Sequence, residues 1–211
     1  MKFVIKRGNT HSRRAHPLLR WARDVFLLVG VLILGYCGYV LIDTKLYQAD
    51  QTRLFQQQIT DSRRASAGNT GVHEAAFHPS VAGALGEIEI PRIGVAAMIV
   101  EGIDNRTLRR AVGHIPGTPL PGQQGNVGIA GHRDTFFRAL RNVRQDDEIN
   151  LTTYDGSYHY RVTSTQIVEP DATQVLDHSD GDILTLVTCY PFYFVGPAPR
   201  RFIVRAQRIP E

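Results

Sequence analysis

The sequence predicts a mainly β protein, a closed or nearly closed β-barrel with two short helices, preceded by a single transmembrane helix. Two observations point to this fold class. From residue 85 onward, short apolar stretches alternate with Gly, Pro and Asp at spacings of roughly 10–20 residues, which is typical of β-barrels. Nearer the N-terminus, residues 25–42 form an apolar run of eighteen residues without a charge.

The apolar run is long enough to cross a membrane. As an α-helix, residues 25–42 would span about 27 Å, close to the ~30 Å hydrocarbon core of a bilayer. Residues 1–24 carry seven basic side chains and one acidic side chain, so the positive-inside rule places this tail in the cytoplasm and the rest of the chain outside it. The alternative is a cleaved signal peptide, but its apolar core is usually about 7–15 residues long, and no small-x-small cleavage site follows at 43–45. We therefore predict a retained single-pass anchor.

Composition and charge exclude several other classes of protein. The chain has 211 residues, of which 43% are hydrophobic and 21% charged, as expected for one ordinary folded domain beyond the anchor. Its two cysteines cannot build a disulfide framework or a cysteine-based zinc site. Beyond the basic tail the chain carries 17 basic and 19 acidic side chains, so the folded body is slightly acidic and nucleic acid is not an expected partner.

Between the membrane and the barrel domain, which we assign to 85–211, the sequence predicts a connecting segment over 43–84. Residues 45–59 are good helix formers with spaced apolar side chains, and this pattern predicts a juxtamembrane helix. Residues 60–80 are rich in Ser, Ala, Gly, Asn and His without an apolar period, and this composition predicts a flexible stalk. The anchor and the stalk are not expected to contribute to the core of the barrel.

Two short helices interrupt the predicted strands. Asp104 is placed to cap a helix over 105–112, and Thr135 to cap a second over 136–143, because both side chains can accept hydrogen bonds from the free N–H groups of a first helical turn. The short apolar runs predict strands over 86–90, 97–101, 126–130, 148–153, 158–169, 182–188 and 201–208.

Cys189 is the candidate nucleophile. It ends an apolar strand, and because Pro191 cannot continue a β-ladder, Cys189 should lie where the chain turns out of the sheet. A thiol at a strand end without a partner cysteine is open to oxidation in an exported and often oxidising compartment. We therefore expect such a thiol to have a function. The alternative is an inert core cysteine, since a nucleophile also needs a base and usually an electrostatic helper.

Two further strand ends supply those groups. His132 follows the apolar strand 126–130 and a glycine, and the pair Arg200 and Arg201 opens the last strand. Cysteine, histidine and arginine at three strand ends indicate an acyl-transfer site.

The alternation of side chains along the last strand chooses between the two arginines. Successive side chains on a strand point to opposite faces. Phe202, Val204 and Ala206 form an apolar face that should fill the barrel, so Arg201 should point outward, towards a groove beside the cysteine, and Arg200 should not. The predicted outward face comprises Arg201, Ile203, Arg205 and Gln207.

These motifs resemble those of the sortase family. Residues 185–189 read TLVTC and fit the family signature TLxTC, Gly-His at 131–132 fits the family histidine, and 201–206 (RFIVRA) fits the arginine-led last strand. The resemblance covers about residues 86–208. Cys-Tyr-Pro after the signature, together with Gly-His-Arg-Asp, is similar to class D sortases, whereas the Asp-Pro-aromatic lid typical of class C enzymes is absent from the sequence.

The resemblance implies a sortase-like β-barrel and a cysteine transpeptidase anchored in the bacterial cytoplasmic membrane, with its N-terminus inside and its catalytic domain outside the cytoplasm. Such enzymes cut protein substrates at an LPxTG-like C-terminal sorting signal, between Thr and Gly, and pass the acyl group to a cell-wall or surface amine. Their partners are therefore the sorting-signal proteins and the amine acceptor, with the membrane bound through residues 25–42.

The chemistry of the side chains assigns three catalytic roles. Cys189 would attack the scissile carbonyl and form a thioacyl enzyme. His132 would give a proton to the departing amine and later take one from the incoming amine. Arg201 would hold the oxyanion or the substrate backbone. The predicted substrate-binding residues are Thr188, Tyr190 and Pro191.

The predicted substrate-binding residues also have structural interpretations. Thr188 could equally be a β-branched residue that only favours strand formation. The aromatic residues of 190–199 could pack as an extension of the core rather than as a groove wall. His114 is expected to be structural. Asp134 could orient the ring of His132, although the simpler expectation is that it begins the next turn.

No cofactor or metal is predicted. Carboxylates at Glu101 and 146–148 could in principle bind calcium, but nothing resembling a full EF-hand ligand set is present. The sequence also lacks a Walker loop, a GxGxxG motif and an HExxH motif.

Two alternative functions fit the sequence less well. A cysteine L,D-transpeptidase would carry a histidine almost adjacent to its nucleophile, whereas Leu-Val-Thr precedes Cys189. An inert surface-binding module on a stalk would not need cysteine, histidine and arginine together.

Overall fold

The computed structural model describes residues 17–67, 84–194 and 196–210. The chain falls into two units, divided between residues 43 and 44. Helix α1, Pro17–Ala67, belongs to both units. Its segment Leu19–Tyr39 is long and apolar enough to cross a membrane, judged by length and composition. Residues 1–16 of the predicted basic tail lie outside the described residues.

Helix α1 changes the expectation for the connecting segment. The helix predicted over 45–59 lies within α1, but α1 also continues through 60–67, which the sequence assigned to a flexible stalk. Within this continuation the Thr60 hydroxyl donates a hydrogen bond to the Gln56 carbonyl one turn earlier, at 2.8 Å, so its polar group is satisfied inside the helix. Residues 68–80 of the predicted stalk lie outside the described residues.

Among its described residues, the second unit contains eight strands and a second α-helix, α2, over Asn105–Arg110. The strands are β1 (Ala84–Ile90), β2 (Val95–Glu101), β3 (Val112–His114), β4 (Asn126–Ala130), β5 (Glu148–Thr153), β6 (Ser157–Val168), β7 (Ile183–Tyr190) and β8 (Arg200–Arg208). Three short 3₁₀ helices cover Pro91–Ile93, Arg138–Asn142 and Thr173–Leu176.

The strands close into a barrel in the order β1-β2-β3-β4-β7-β8-β6-β5, and β5 pairs with β1 to complete the ring. Two neighbouring pairs are parallel, β2 with β3 and β4 with β7, and the others are antiparallel. Because β4 and β7 run in the same direction, their carboxyl ends meet at one end of the barrel. This topology brings the residues after β4 close to the end of β7.

Alternate side chains fill the barrel. On β7 and β8, Leu184 and Leu186 pair with Ala206 and Val204, and all four are fully buried in the core cluster. Burial of these side chains removes apolar surface from water, which stabilises the fold by about 25 cal/mol per Å² of apolar surface buried. The mainly β barrel predicted from the sequence is confirmed.

Local signals located several elements correctly. Strands β4 and β5 have the predicted bounds, and Asp104 caps α2 as predicted, with its carboxylate accepting from the backbone N–H groups of Arg106 at 2.8 Å and Thr107 at 3.2 Å. These bonds, together with one from the Thr107 hydroxyl, lower the pKa of Asp104.

Two predicted elements were wrong in detail. The first predicted helix ends at Arg110 rather than 112, because Val112 begins β3, a three-residue strand too short to show a period. The second predicted helix is a 3₁₀ helix over Arg138–Asn142 that follows Phe137 and has no side-chain cap, so Thr135 does not cap it. The intervening backbone instead folds back onto His132, whose carbonyl accepts from the Phe137 N–H at 3.1 Å.

Two side chains of α1 contact the barrel within the second unit. The Gln48 side-chain oxygen accepts a hydrogen bond from the Met98 N–H at 3.0 Å, and its amide nitrogen donates to the Arg110 carbonyl. The Arg110 guanidinium lies over the Tyr47 ring, 5.5 Å from its centroid. The predicted juxtamembrane helix therefore supplies hydrogen-bond partners to the barrel.

Candidate active site

Cys189 and Arg201 occupy facing positions in the β7–β8 ladder. Directly opposed residues of an antiparallel pair present their side chains on the same face of the sheet. Thr188 and Tyr190, on either side of the cysteine, pair with Phe202 and Arg200 and point to the other face. The predicted choice of Arg201 over Arg200 therefore agrees with the strand register.

The β4–β7 ladder brings the backbone before His132 to the end of β7 that carries Cys189. The parallel register ends with Ala130 opposite Val187, and the Gly131 N–H continues it by donating to the Val187 carbonyl at 3.1 Å. His132 therefore directly follows a residue that is bonded to β7 two positions before Cys189. Both side chains are half-buried. The three predicted catalytic residues thus lie at the ends of three adjacent strands.

Gly131 is the residue that permits this arrangement. A Cβ at position 131 would lie 2.6 Å from the ring of Phe137, which is itself fully buried. A side chain here would force either the ring or the backbone before His132 to move. The Gly-His pair of the sequence motif therefore has a steric reason.

Thr188 is turned into the protein. It is 2% exposed, and its hydroxyl donates to the Gly131 carbonyl at 2.7 Å. Gly131 is thereby hydrogen-bonded to two successive residues of β7 that precede the cysteine, Val187 and Thr188. This bond fixes the end of β4 against β7, and contact between Thr188 and substrate stays a prediction.

The other predicted substrate-binding residues are Tyr190, the last residue of β7, and Pro191, the first residue of the β7–β8 loop, residues 191–199, of which all but 195 are described. The Tyr190 ring stacks on the Phe202 ring, with 6.4 Å between their centroids, and meets the Phe192 ring edge-on at 6.0 Å. These three rings form a small aromatic cluster at the end of the core. The peptide bond between Tyr190 and Pro191 is cis. The packing favours the alternative in which these aromatic residues extend the core.

The two arginines at the start of β8 have different surroundings. Nη1 of Arg201 donates to the carbonyl oxygens of Ala198 at 3.2 Å and Arg200 at 3.1 Å. Arg200 instead forms an exposed ion pair with Glu169 at 3.5 Å. The predicted outward face is less accurate further along the strand, because Ile203 was assigned to it but is only 1% exposed.

Arg133 was missed by the sequence analysis. It directly follows His132 and is 6% exposed, with Nη1 donating to the Pro191 carbonyl and Nη2 to the Gly196 carbonyl, both at 2.9 Å. Its Nε lies 3.7 Å from the exposed carboxylate of Asp134. Asp134 is thus paired with Arg133, and the alternative in which it orients the ring of His132 has no contact among the described residues. No local pattern could have identified Arg133, because both of its partners lie more than 50 positions along the chain.

The carboxylates considered as calcium ligands lie at different places. Glu101 ends β2 and contacts the buried ring of His114 at 2.7 Å, so His114 has a structural partner. Asp147, directly before β5, is paired with the Arg92 guanidinium, and this hydrogen bond lowers the pKa of the Asp147 carboxyl. Within the parts of the chain that the structure describes, no group of three or more His, Cys, Asp or Glu side chains could hold a metal ion.

Known proteins share these motifs and this barrel. The sortase-domain family model matches residues 88–209, more than half of the chain. Sortase D of Bacillus subtilis strain 168 is 34% identical over 191 residues, covering 87% of this chain and 95% of that protein. Sortase A of Listeria monocytogenes is 27% identical over 182 residues, covering 78% of this chain and 81% of that protein.

A solved structure of a Clostridium perfringens sortase D5 transpeptidase is similar to the barrel, with a TM-score of 0.60 and 26% sequence identity, covering 79% of this chain and 98% of that one. The class D names of two of these relatives agree with the similarity predicted from Cys-Tyr-Pro and Gly-His-Arg-Asp. The extent of the family match and the identity to Sortase D are enough to assign the family. The chain belongs to the sortase family, a family of transpeptidases.

Proposed function

We propose that this sortase is a membrane-anchored cysteine transpeptidase that cleaves an LPxTG-like C-terminal sorting signal through a thioacyl enzyme and transfers the protein to a cell-surface amine. One observation carries the proposal. Cys189 and Arg201 are opposite each other in the β7–β8 ladder, and Gly131, directly before His132, is hydrogen-bonded to Val187 and Thr188, the two residues before the cysteine. A nucleophile, a proton-transfer group and a fixed cation are the groups that acyl transfer requires.

In the first step, Sγ of Cys189 attacks the carbonyl carbon between the Thr and Gly residues of the signal. The C–S bond forms and the C–N bond then breaks. The proton shared by Cys189 and His132 in the resting enzyme passes from the His132 ring to the departing amine nitrogen. Arg201 stabilises the negative charge that develops on the carbonyl oxygen. Among the described contacts only its Nη1 is engaged by carbonyl groups, so Nη2 and Nε are available as donors.

In the second step, an amine attacks the carbonyl carbon of the thioester. His132 takes the proton of the incoming amine, the C–S bond breaks, and the sulfur of Cys189 is regenerated. The new amide bond links the client protein to the acceptor. No metal ion takes part in either step, so a chelator should leave the rate unchanged, and a strong calcium dependence would contradict this scheme.

The N-terminal helix supplies the proposed anchor. Its segment Leu19–Tyr39 can cross a bilayer, and the basic residues of 1–24 favour a cytoplasmic N-terminus. The barrel would then lie outside the cytoplasm, where sorting-signal proteins and envelope amines meet. Protease added to cells with an intact cytoplasmic membrane, and any outer membrane permeabilised, should cut the protein after the helix. Protection of the barrel until that membrane is lysed would show that the orientation is wrong.

The covalent intermediate provides the direct test of the chemistry. The full chain in detergent, given a sorting-signal peptide and no amine, should accumulate an adduct at Cys189 that intact-protein mass spectrometry detects. Cys189→Ala should give no adduct, and an added amine should discharge the wild-type adduct into a peptide–amine product. A wild-type protein that forms no adduct with any LPxTG-like peptide would contradict the proposed function.

A further inference from the structure

The β7–β8 loop is held by a buried guanidinium. Arg133 is 6% exposed, and an arginine is rarely buried to this degree unless its N–H groups are satisfied. Here two of its nitrogens donate to backbone carbonyls at the two ends of the loop segment 191–196, Pro191 and Gly196, at 2.9 Å each. The fork of Arg133 therefore joins two points of the loop that are five residues apart.

The surroundings of the guanidinium complete this clamp. The Phe194 ring lies 5.9 Å from the guanidinium carbon, at a distance where a cation and an aromatic face attract each other. Gly196 has φ of 113°, a conformation that other residues rarely adopt, and this turn brings its carbonyl to the arginine. Tyr193, between the two clamped carbonyls, is 82% exposed.

Arg133 also connects two parts of the candidate active site. It directly follows His132, whose own carbonyl is fixed by the backbone N–H groups of Thr135 at 3.4 Å and Phe137 at 3.1 Å. The clamped loop begins two residues after Cys189 and ends where β8 begins with Arg200 and Arg201. One side chain thus ties the segment of the histidine to the loop between the cysteine and the arginine.

We propose that Arg133 is a positioning residue that holds the described parts of the β7–β8 loop, 191–194 and 196–199, in a preformed shape, so that an extended peptide substrate meets an ordered wall beside Cys189. The inference rests on the proposed function for the identity of the substrate. A loop ordered before binding loses less conformational entropy when the peptide binds, so the clamp acts on the affinity for peptide more than on the chemistry at sulfur. Loss of the clamp should therefore raise KM for the peptide.

Two substitutions and one matched control test this role in the full chain. Arg133→Lys keeps the positive charge, but a single ammonium group lacks the planar fork that joins two carbonyls. Arg133→Ala removes the side chain and leaves a space that free guanidinium ions can enter. Arg138→Ala is the control, because Arg138 lies in the same segment, is exposed, and has no side-chain partner among the described residues.

We expect KM for the sorting-signal peptide to rise about tenfold in both Arg133 variants, since two hydrogen bonds to a charged group are lost. Alkylation of Cys189 by iodoacetamide, which does not need the loop, should change by only a few-fold, and millimolar guanidinium should lower KM of Arg133→Ala but not of Arg133→Lys. Arg138→Ala should keep the wild-type KM. If Arg133→Ala does not fold, Arg133→Lys alone decides the question.

Amide hydrogen exchange of residues 191–199 provides a readout that does not depend on activity. Exchange should be faster in the Arg133 variants than in the wild type and unchanged in Arg138→Ala. Wild-type KM in both Arg133 variants overturns the inference, whatever the loop exchange. If the wild type itself forms no thioester, the proposed function fails, and the exchange comparison still decides the clamp, with unchanged exchange overturning it.

Discussion

Cys189 lies directly opposite Arg201 in the ladder between β7 and β8, whereas Arg200 lies opposite Tyr190 and is paired with Glu169. Because opposed residues share a face and successive residues alternate, only the second of the two adjacent arginines shares the face of the thiol. This relationship separates two residues that composition alone cannot distinguish.

Arg201→Ala should therefore reduce the transpeptidation rate by at least ~100-fold, as expected when a fixed donor to a developing oxyanion is lost. Arg200→Ala serves as the matched control and should remain within a few-fold of wild type, because its ion pair with Glu169 is exposed. Both rates can be measured with a fluorescent sorting-signal peptide. The reverse pattern would mean that the catalytic cation comes from the other face of β8.

His132→Ala should lower turnover by about 10²–10⁴-fold, the range typical of a lost general acid–base group. The loss should affect kcat more than KM, since the ring is assigned to proton transfer rather than to peptide binding. His159→Ala is a suitable control, because His159 lies on β6 and contacts Asn150 at 2.9 Å. Full activity in His132→Ala would exclude this histidine from the mechanism.

Thr188→Val should lower kcat about tenfold, while Thr188→Ser should keep most of the activity. The valine removes the hydroxyl that donates to the Gly131 carbonyl at 2.7 Å, and this leaves a buried acceptor unsatisfied one residue before His132. The serine retains the hydroxyl. Equal activity of the valine and serine variants would show that this hydrogen bond does not position the histidine.

The sequence predicts those features of the fold that depend on neighbouring residues. Strands β4 and β5 have the expected bounds because their apolar residues are continuous or alternate, and Asp104 caps α2 because a cap acts on residues two and three positions away. Strand β3 was missed because three residues are too few to show a period. The segment before Arg138 follows tertiary packing of Phe137 rather than its own capping signal.

The candidate site divides in the same way. Cys189, His132 and Arg201 are recognisable because each follows or begins an apolar strand and fits a motif. Arg133 and Gln48 are not, because their hydrogen-bond partners lie 58 and 50 positions away in the chain. Such partners are known only once the barrel has closed, and no pattern in a single sequence specifies them.

Asp147→Asn should lower the free energy of unfolding near neutral pH by about 1–3 kcal/mol, since the buried carboxylate accepts from Arg92 and from the Arg144 N–H at 2.8 Å. The hydrogen bond from Arg92 lowers the pKa of Asp147 in the folded protein. A carboxyl with a lowered pKa stabilises the fold above its unfolded-state pKa and loses that contribution as pH falls through the folded-state value. The difference between wild type and variant should thus shrink below about pH 4.

Urea unfolding of both proteins over this pH range measures the effect. Asp146→Asn is the control, because Asp146 is exposed and has φ of 69°, a conformation that asparagine also tolerates. Its stability should follow the wild type at every pH. A difference for Asp147→Asn that is constant with pH would contradict the ion-pair origin of the stabilisation.

Gln48→Ala should expose the Met98 amide to exchange. Met98 lies one position before β2 begins to pair with β3 at Ile99, so on that side its N–H faces no strand, and the Gln48 side-chain oxygen accepts it at 3.0 Å. The Gln48 amide nitrogen donates to the Arg110 carbonyl, just before β3. One side chain therefore bridges β2 and the segment before β3, where the two strands are not yet paired. Hydrogen exchange of the full chain in detergent should show faster exchange at Met98 in Gln48→Ala and no change at Ile88, within the β1–β2 ladder. Gln57→Ala, at an exposed position of the same helix, should leave both amides as in wild type, and equal exchange at Met98 in the two variants would show that α1 does not support this edge of the barrel.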